Sequence, residues 1–267
     1  MRYRQRRLES LGRRTLRLLR QIFTRGYIKR QKAYRVDHGG ASLKRLVLAD
    51  SFRAAELAAK LRRCEPWAPV PRVVSNFENE LWVEFLEGRS VARDDPGVPS
   101  ALARLLGTLN AENPRRCDPR ELGLDRELRA DLVLLREAGV FERGVYDELL
   151  AAADAAIPET VWIGHDYSDP RPQNFLWDKN DELCIIDVES MGSDALIGRG
   201  AVKAILRWMA PKREEFLDEL AKYSAPDFLA YFPFVELHTL ASWQKRSLLQ
   251  RKTRLLQPAL FDRFRSL

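Results

Sequence analysis

The chain has 267 residues, 45% apolar and 31% charged, with a net charge of +7. This is the balance of a folded globular protein with room for one large domain or two lobes, and it excludes a disordered chain. No apolar run approaches the roughly 18 residues that a membrane span needs. Arginines continue through the stretch where a signal peptide would be uncharged. Cys64, Cys117 and Cys184 have neither disulfide-framework nor zinc-ligand spacing, so the expected compartment is the reducing cytoplasm. Residues 1–35 hold 13 Lys/Arg against one acid, Glu9, a charge of +12 that leaves −5 for the remainder of a +7 chain. An acidic body between this arm and a second basic stretch, Lys245 to Arg265, argues against a nucleic-acid-binding domain and for an enzyme body with basic arms.

In chain order, Leu8, Leu11, Leu16, Leu18, Leu19, Ile22 and Phe23 recur mostly at three- and four-residue spacing among arginines, which predicts a basic amphipathic helix over 6–23, the core of an N-terminal element spanning 1–23. Two readings of it stay open: a peripheral contact with an anionic membrane surface at the inner face, or a leading helix packed on the body. Tyr27–Ile28, Ala33–Val36 and Ser42–Leu48 are β-prone, with Gly39-Gly40 as a tight turn. Residues 51–63 predict a helix with Ser51 as its N-cap. Pro66, Pro69 and Pro71 then exclude helix, and Val73–Ser75 and Glu80–Phe85 read as strands. From Ser100 the pattern turns helical, over 101–112, 126–139 and 145–156, is interrupted by a β-rich patch at 161–189, and becomes helical again from about Arg199.

The chemistry-bearing segment is VWIGHDYSDPRPQNFLWDKNDELCIIDVES, residues 161–190. Val161–Ile163, Phe175–Trp177 and Leu183–Ile186 read as short strands, the last two joined by the turn-forming Asp178-Lys179-Asn180-Asp181. Asp169, Asn174 and Asp187 sit at the ends of these strands, five and thirteen residues apart. Such a set suits phosphoryl transfer, which needs charge neutralisation and in-line positioning more than covalent help. A carboxylate and an amide oxygen are hard ligands of the kind magnesium takes, and a separate carboxylate can orient an acceptor hydroxyl.

The order D-x-x-x-x-N, then a hairpin, then I-D-x-E resembles the kinase-like fold, in its aminoglycoside and choline phosphotransferase branch. That branch reads approximately H-G-D-x-x-P-x-N and I-D-W-E where this chain has Y-S-D-P-R-P-Q-N and I-D-V-E. The resemblance implies an α+β, two-lobed protein-kinase-like fold, with a small β-rich N-lobe over 24–88 and a larger helical C-lobe over 89–267 carrying the catalytic and metal loops. It implies Asp169 as catalytic base, Asn174 and Asp187 as magnesium ligands assisted by Glu189, and Arg171 as a contact to substrate or phosphate. Glu80–Gly88, ELWVEFLEG, looks like the strand and hinge whose backbone at Glu84 and Leu86 holds adenine. Ala41–Lys44, ASLK, resembles the strand whose lysine grips the α and β phosphates, and Glu56 in the next helix is the implied partner of Lys44. Strand alternation puts Ser42 and Lys44 on one face and turns Arg45 to the other.

Three departures qualify the resemblance. Tyr167 stands where the usual histidine precedes the base. A glycine-rich phosphate loop is missing, with Lys29-Arg30-Gln31-Lys32 at the expected first hairpin. No A-P-E sequence follows Asp187. The implied activity is ATP- and Mg2+-dependent phosphorylation of a hydroxyl on a small molecule or sugar, with an amino sugar, a soluble metabolite and a lipopolysaccharide-type sugar all open. A nucleotide-binding pseudokinase scaffold and a protein serine/threonine kinase are the alternatives, and the sequence leaves the oligomeric state undetermined. His165 and Asp166 read as loop hydrogen-bonding residues, and Trp162, Trp177, Trp208 and Trp243 as core.

Overall fold

The computed structural model describes residues 4–7, 32–252 and 255–265. Most of the predicted N-terminal helix, the Tyr27–Ile28 strand and Lys29 to Gln31 lie outside these residues. Where the first of them is described, the expectation is corrected: Arg4–Arg7 is a strand, β1, so Arg6 and Arg7 do not begin a helix. They satisfy their backbone by antiparallel pairing with β2, Lys32–His38, in the register Arg4↔Asp37 to Arg7↔Tyr34. Among the described residues no helix is long and apolar enough to cross a membrane.

The chain forms two compact units. The first comprises the described residues up to Val91 together with Gln173–Glu189. Its five-stranded sheet has the order β1-β2-β3-β5-β4, with β3 Ala41–Val47, β4 Val73–Phe77 and β5 Glu80–Glu84. Gly39 and Gly40 turn β2 into β3 at φ 59° and 82°, the left-handed region a two-residue hairpin loop demands. Leu46, Leu81 and Val83 are buried to 2% exposure or less, each burial stabilising the sheet by about 1.5–3 kcal/mol. Helix α1, Ser51–Cys64, buries Ala54, Leu57, Ala58, Leu61 and Cys64 along one stripe. Its cap is Asp50, whose carboxylate accepts the Arg53 N–H at 2.8 Å, so the expected Ser51 is the first helical residue instead.

A three-stranded sheet completes this unit: β6 Arg89–Ser90, β9 Phe175–Trp177 and β10 Leu183–Ile185, in the order β10-β9-β6. Ile185 N–H donates to Pro69 O at 3.0 Å, which ties this sheet to the proline-rich segment after α1. Residues 173–189, read from sequence with the second lobe, therefore cluster with the first unit.

The second unit comprises Ala92–Pro172 and Ser190 onward. Its small sheet has the order β11-β8-β7, with β7 Arg115–Cys117, β8 Val161–Tyr167 and β11 Met191–Leu196. Helices α2 Val98–Ala111, α3 Leu124–Glu137, α4 Arg143–Ala156, α5 Arg199–Ala204, α6 Arg213–Tyr223 and α7 Phe228–Leu249 supply the rest. The 22-residue α7 is buried on most of its circumference, with Phe228, Phe232, Phe234, Val235, Leu237 and Leu240 in the core. It also buries Glu236, His238, Thr239, Gln244 and Ser247, as a helix surrounded by neighbours does. Of the four tryptophans expected in the core, Trp177 and Trp208 are buried, whereas Trp162 and Trp243 are part-exposed. Trp162 donates its indole N–H to Pro226 O at 2.8 Å.

Gly88 marks a close backbone approach that only glycine permits. A Cβ there would lie 2.0 Å from Trp177 O and 2.8 Å from Leu176 Cδ1, where β6 begins to pair with β9. Gly88→Ala is expected to cost about 2–3 kcal/mol, as overpacking against backbone does. In urea unfolding followed by circular dichroism the midpoint should fall with an unchanged m-value.

Candidate active site

Within the first unit, the β9–β10 hairpin brings Asn174 and Asp187 to one end. The pairing Ile185↔Phe175 is extended by an Ile186 N–H bond to Asn174 O at 2.9 Å. Asp187 is the next residue, so both side chains issue from the open end of the same ladder. Asp178 closes the other end: its carboxylate accepts the Asn180 and Glu182 N–H groups, each at 2.8 Å, and these amides hold the carboxyl below the usual range. Asn174 is 6% exposed at the end of a 3-10 turn, Pro172–Asn174. Lys44 reaches the same end from β3, its ammonium donating to Ile186 O at 2.5 Å. Three of the residues singled out from sequence therefore meet at one place. Glu189 sits just beyond, in a 3-10 turn anchored by the buried Val188.

The sheet face around Lys44 is polar and cross-linked. Lys44 lies opposite Arg35, and Ser42 opposite Asp37. Arg35 donates to Asp37 at 3.1 Å, to Ser42 Oγ at 2.8 Å and to Glu87 at 2.9 Å, and stacks 4.4 Å over Phe85. Arg45 points to the other face, pairing with Glu80 and stacking on Tyr34 and Trp82. Glu56 requires a correction. It lies on the solvent side of α1 and pairs with Lys60 at 2.7 Å, one turn on, rather than with Lys44. Lys60 lowers the Glu56 carboxyl, but the pair is largely exposed and adds little stability. The apolar stripe at 54, 57, 58 and 61 sets the rotation of the helix, and that rotation leaves 56 facing outward. At the expected hinge, Glu84 N–H is taken by Arg72 O at 2.9 Å and Phe85 N–H by Ser42 O at 3.2 Å.

Asp169 belongs to the second unit, in the loop after β8. Its Oδ1 accepts Arg171 Nε at 2.9 Å and Arg207 Nη1 at 2.6 Å. The sequence points to Arg171 at this place. It does not point to Arg207, which projects from a π-helical turn, Ile205–Met209, that continues α5. Lys203, one turn before Arg207, donates to Ser168 O at 3.0 Å. Burial pushes the Lys203 ammonium down to about 8.

The loop is held from beneath by Asp166 and Tyr167, both fully or almost fully buried. The Asp166 carboxylate accepts Gly200 N–H at 2.8 Å and Tyr167 N–H at 2.9 Å. Burial pushes this carboxyl up, against the opposing pull of the Gly200 amide and Lys203. Gly200 must be glycine, since a Cβ would lie 2.4 Å from Tyr167 O and 2.7 Å from Asp166 Oδ1. Asn110 Nδ2 donates to His165 O at 2.9 Å, and Ser168 N–H to Ser190 O at 2.9 Å. His165 and Asp166 both form hydrogen bonds, but from strand β8 rather than from the loop, His165 through its backbone carbonyl, and Tyr167 fills the core position before the loop.

The donor chemistry fits magnesium. Among the described residues no group of three or more His, Cys, Asp or Glu could hold a metal alone. One carboxylate and one amide oxygen, completed by phosphate oxygens and water, form the partial set typical of a magnesium–nucleotide site.

A β-rich unit bearing a lysine on β3 and a short Asn/Asp hairpin, together with a helical unit bearing a loop aspartate, is a phosphotransferase of the kinase-like fold. The chain belongs to the phosphotransferase enzyme family, whose model matches residues 21–238. A search of curated proteins gives no significant match. Solved structures are similar in fold at low identity. A macrolide 2'-phosphotransferase from Brachybacterium faecium is 12% identical at a TM-score of 0.61, covering 85% of this chain and 88% of that one. A thermostable mutant of aminoglycoside phosphotransferase APH(4)-Ia is 14% identical at 0.54, covering 91% of each chain. A choline/ethanolamine kinase family protein from Mesorhizobium loti is 18% identical at 0.50, covering 91% and 84%.

The depressed Lys203 gives a pH test with a definite sign. The ordinary lysine value is 10.5, so between pH 8 and 10.5 the folded chain has released a proton that the unfolded chain still holds. Stability relative to Lys203→Met is therefore expected to be constant below pH 8 and to rise as pH increases toward 10.5. Urea unfolding of both proteins across pH 7–10.5 measures the difference.

Proposed function

We propose that this chain transfers the γ-phosphoryl group of ATP, with Mg2+, to a hydroxyl of a small molecule or sugar. The observation that carries the reading is the convergence of Asn174, Asp187 and Lys44 at the open end of the β9–β10 hairpin. Support for nucleotide use comes from a relative in fold, a thermostable mutant of aminoglycoside phosphotransferase APH(4)-Ia in ternary complex with ADP and hygromycin B, which is 14% identical at a TM-score of 0.55.

In this reading the Lys44 ammonium leaves the Ile186 carbonyl to bind α- and β-phosphate oxygens. Asn174 Oδ1 and the Asp187 carboxylate hold magnesium, with Glu189 as an auxiliary acid at the same end. The ion, when bound, neutralises charge building on the phosphate oxygens. The Glu84 carbonyl and the Leu86 backbone receive adenine, and Arg35 with Phe85 frames the approach. Glu56 has no part in phosphate binding, being spent on Lys60. Asp169 orients the acceptor hydroxyl and accepts its proton as the new O–P bond forms and the bond from the γ-phosphorus to the β–γ bridging oxygen breaks, ADP leaving with that oxygen, while Arg171 and Arg207 keep the carboxylate aimed.

Two variants separate these roles. Asp169→Ala should lower turnover by about 10²–10⁴-fold, the usual worth of a positioned base, while MgATP affinity by titration calorimetry stays within about twofold. Asp187→Ala should instead weaken MgATP binding itself. Full turnover in either variant, read as ADP release in a coupled assay, would contradict the assignment.

A further inference from the structure

The catalytic-loop surface of the second unit carries more positive charge than its acids offset. Arg171 and Arg207 both bond to a single oxygen of Asp169. The ammonium of Lys203 lies on the carbonyl of Ser168, next to that aspartate. Arg207, Arg246 and Arg199 all act on Lys203 through space, and Arg171 acts on Arg207. The nearby second acid, Asp166, is fully buried and spends its oxygens on the Gly200 and Tyr167 amides. Asp169 is therefore a part-buried carboxylate that meets two guanidinium groups, while the acid acting on the neighbouring Lys203 is the buried Asp166.

This arrangement exceeds what holding a base in place requires. One hydrogen-bonded partner aims a carboxylate; a second guanidinium on the same oxygen adds repulsion between the two arginines, and burial opposes the charge on Arg207 and on Lys203. A guanidinium has five N–H donors in a planar fork suited to carboxylate or phosphate, of which Asp169 takes one from each arginine. A π-helical turn at Ile205–Met209 sets Arg207 in place, and such turns are rare and concentrate at functional sites.

We infer that the acceptor is an anionic hydroxyl compound, one that carries a carboxylate or phosphate beside the hydroxyl to be phosphorylated, and that Arg171, Lys203 and Arg207 are the residues that select it. This rests on the phosphotransferase reading above and narrows it. An amino sugar or other cationic acceptor would approach Arg171, Arg207 and Lys203, like charges that outnumber the two acids beside them, Asp169 and Asp166. The anionic group of the acceptor takes guanidinium N–H donors that Asp169 does not use, so the two arginines hold the acceptor and keep Asp169 aimed at its hydroxyl proton. The same chemistry is offered by a soluble sugar acid or sugar phosphate and by a phosphate-bearing glycolipid headgroup.

The test uses the full chain and four probes on one carbon skeleton that differ in charge: D-gluconate, D-glucose 6-phosphate, D-glucose and D-glucosamine. Dissociation constants are measured by ligand-observed NMR, with and without the non-hydrolysable ATP analogue AMP-PNP and Mg2+. The expected order is anionic tightest, at least tenfold below glucose, with glucosamine weakest. Arg207→Gln should compress that ratio to about twofold. Arg171→Gln, at an exposed loop position, should compress it too and serves if Arg207→Gln fails to fold. Equal affinities, no binding of any probe, preference for glucosamine, or an unchanged ratio in both variants overturns the inference. An anionic preference measured without nucleotide, together with no binding of Mg-AMP-PNP, would leave an anion-selective site but sink the phosphotransferase reading, and with it the role of the anion as acceptor. The converse would sink this inference alone. Comparing glucose 6-phosphate with the same phosphate displayed on a phosphatidylinositol phosphate vesicle separates a soluble acceptor from a headgroup.

Discussion

The Ile186 N–H bond to Asn174 O is the constraint on which the proposed metal site depends. It extends a three-residue ladder by one step, and that step decides where two side chains emerge. Because strand side chains alternate between faces, a slip of one residue would turn Asp187 away from the end it shares with Asn174. The ladder is kept in register by the buried Phe175, Leu176, Trp177, Leu183, Cys184 and Ile185, by the Asp178 turn at its far end, and by the Pro69 carbonyl that receives Ile185 N–H. Lys44 then spends its ammonium on the carbonyl of the same Ile186, so the backbone of one residue serves both the hairpin and the lysine.

The second unit meets a related problem by a different device. A loop rich in proline cannot support itself with backbone bonds, since Pro170 and Pro172 have no N–H to give. The fold substitutes a buried carboxylate. Asp166 binds the amide of its own strand neighbour and that of Gly200, which joins the end of β8 to the start of α5. The same short helix and its π-helical continuation carry Lys203 and Arg207 to the loop. One side chain thus couples the position of the Asp169 loop to the position of its cations, and a Cβ at Gly200 would collide with that same carboxylate and with Tyr167 O.

Much of this is legible in the sequence. The Asp–Asn–Asp spacing and the hairpin between Asn174 and Asp187 are local features, and the family match and the fold agree with the kinase-like reading. The strands β2, β3, β5 and β9 fall where β-branched and aromatic residues alternate around Gly39-Gly40 and Asp178–Asp181. The failures have physical causes. The helix N-cap shifts from Ser51 to Asp50 because either side chain can accept an amide proton, and only backbone geometry chooses between them. Glu56 escapes a sequence reading because the phase of α1 follows from which alanines and leucines are buried, and that depends on the sheet it packs against. The strand Met191–Leu196, with the unpromising sequence MGSDAL, exists because β8 offers it a pairing edge. Arg199, Lys203 and Arg207 form a visible four-residue basic stripe in the sequence, yet nothing in the sequence says that its end meets Asp169.

The claim underlying the account is that one carboxylate and one amide oxygen, set by a single hairpin, hold the metal of a metal–nucleotide complex. The direct measurement is a crystal structure of the full chain with Mn2+ and AMP-PNP, with the metal located by its anomalous signal. The account predicts a peak within about 2.0–2.3 Å of both Asn174 Oδ1 and an Asp187 carboxylate oxygen, with Lys44 moved from the Ile186 carbonyl to a phosphate oxygen. A metal bound to neither side chain, with Lys44 still on Ile186, would contradict it.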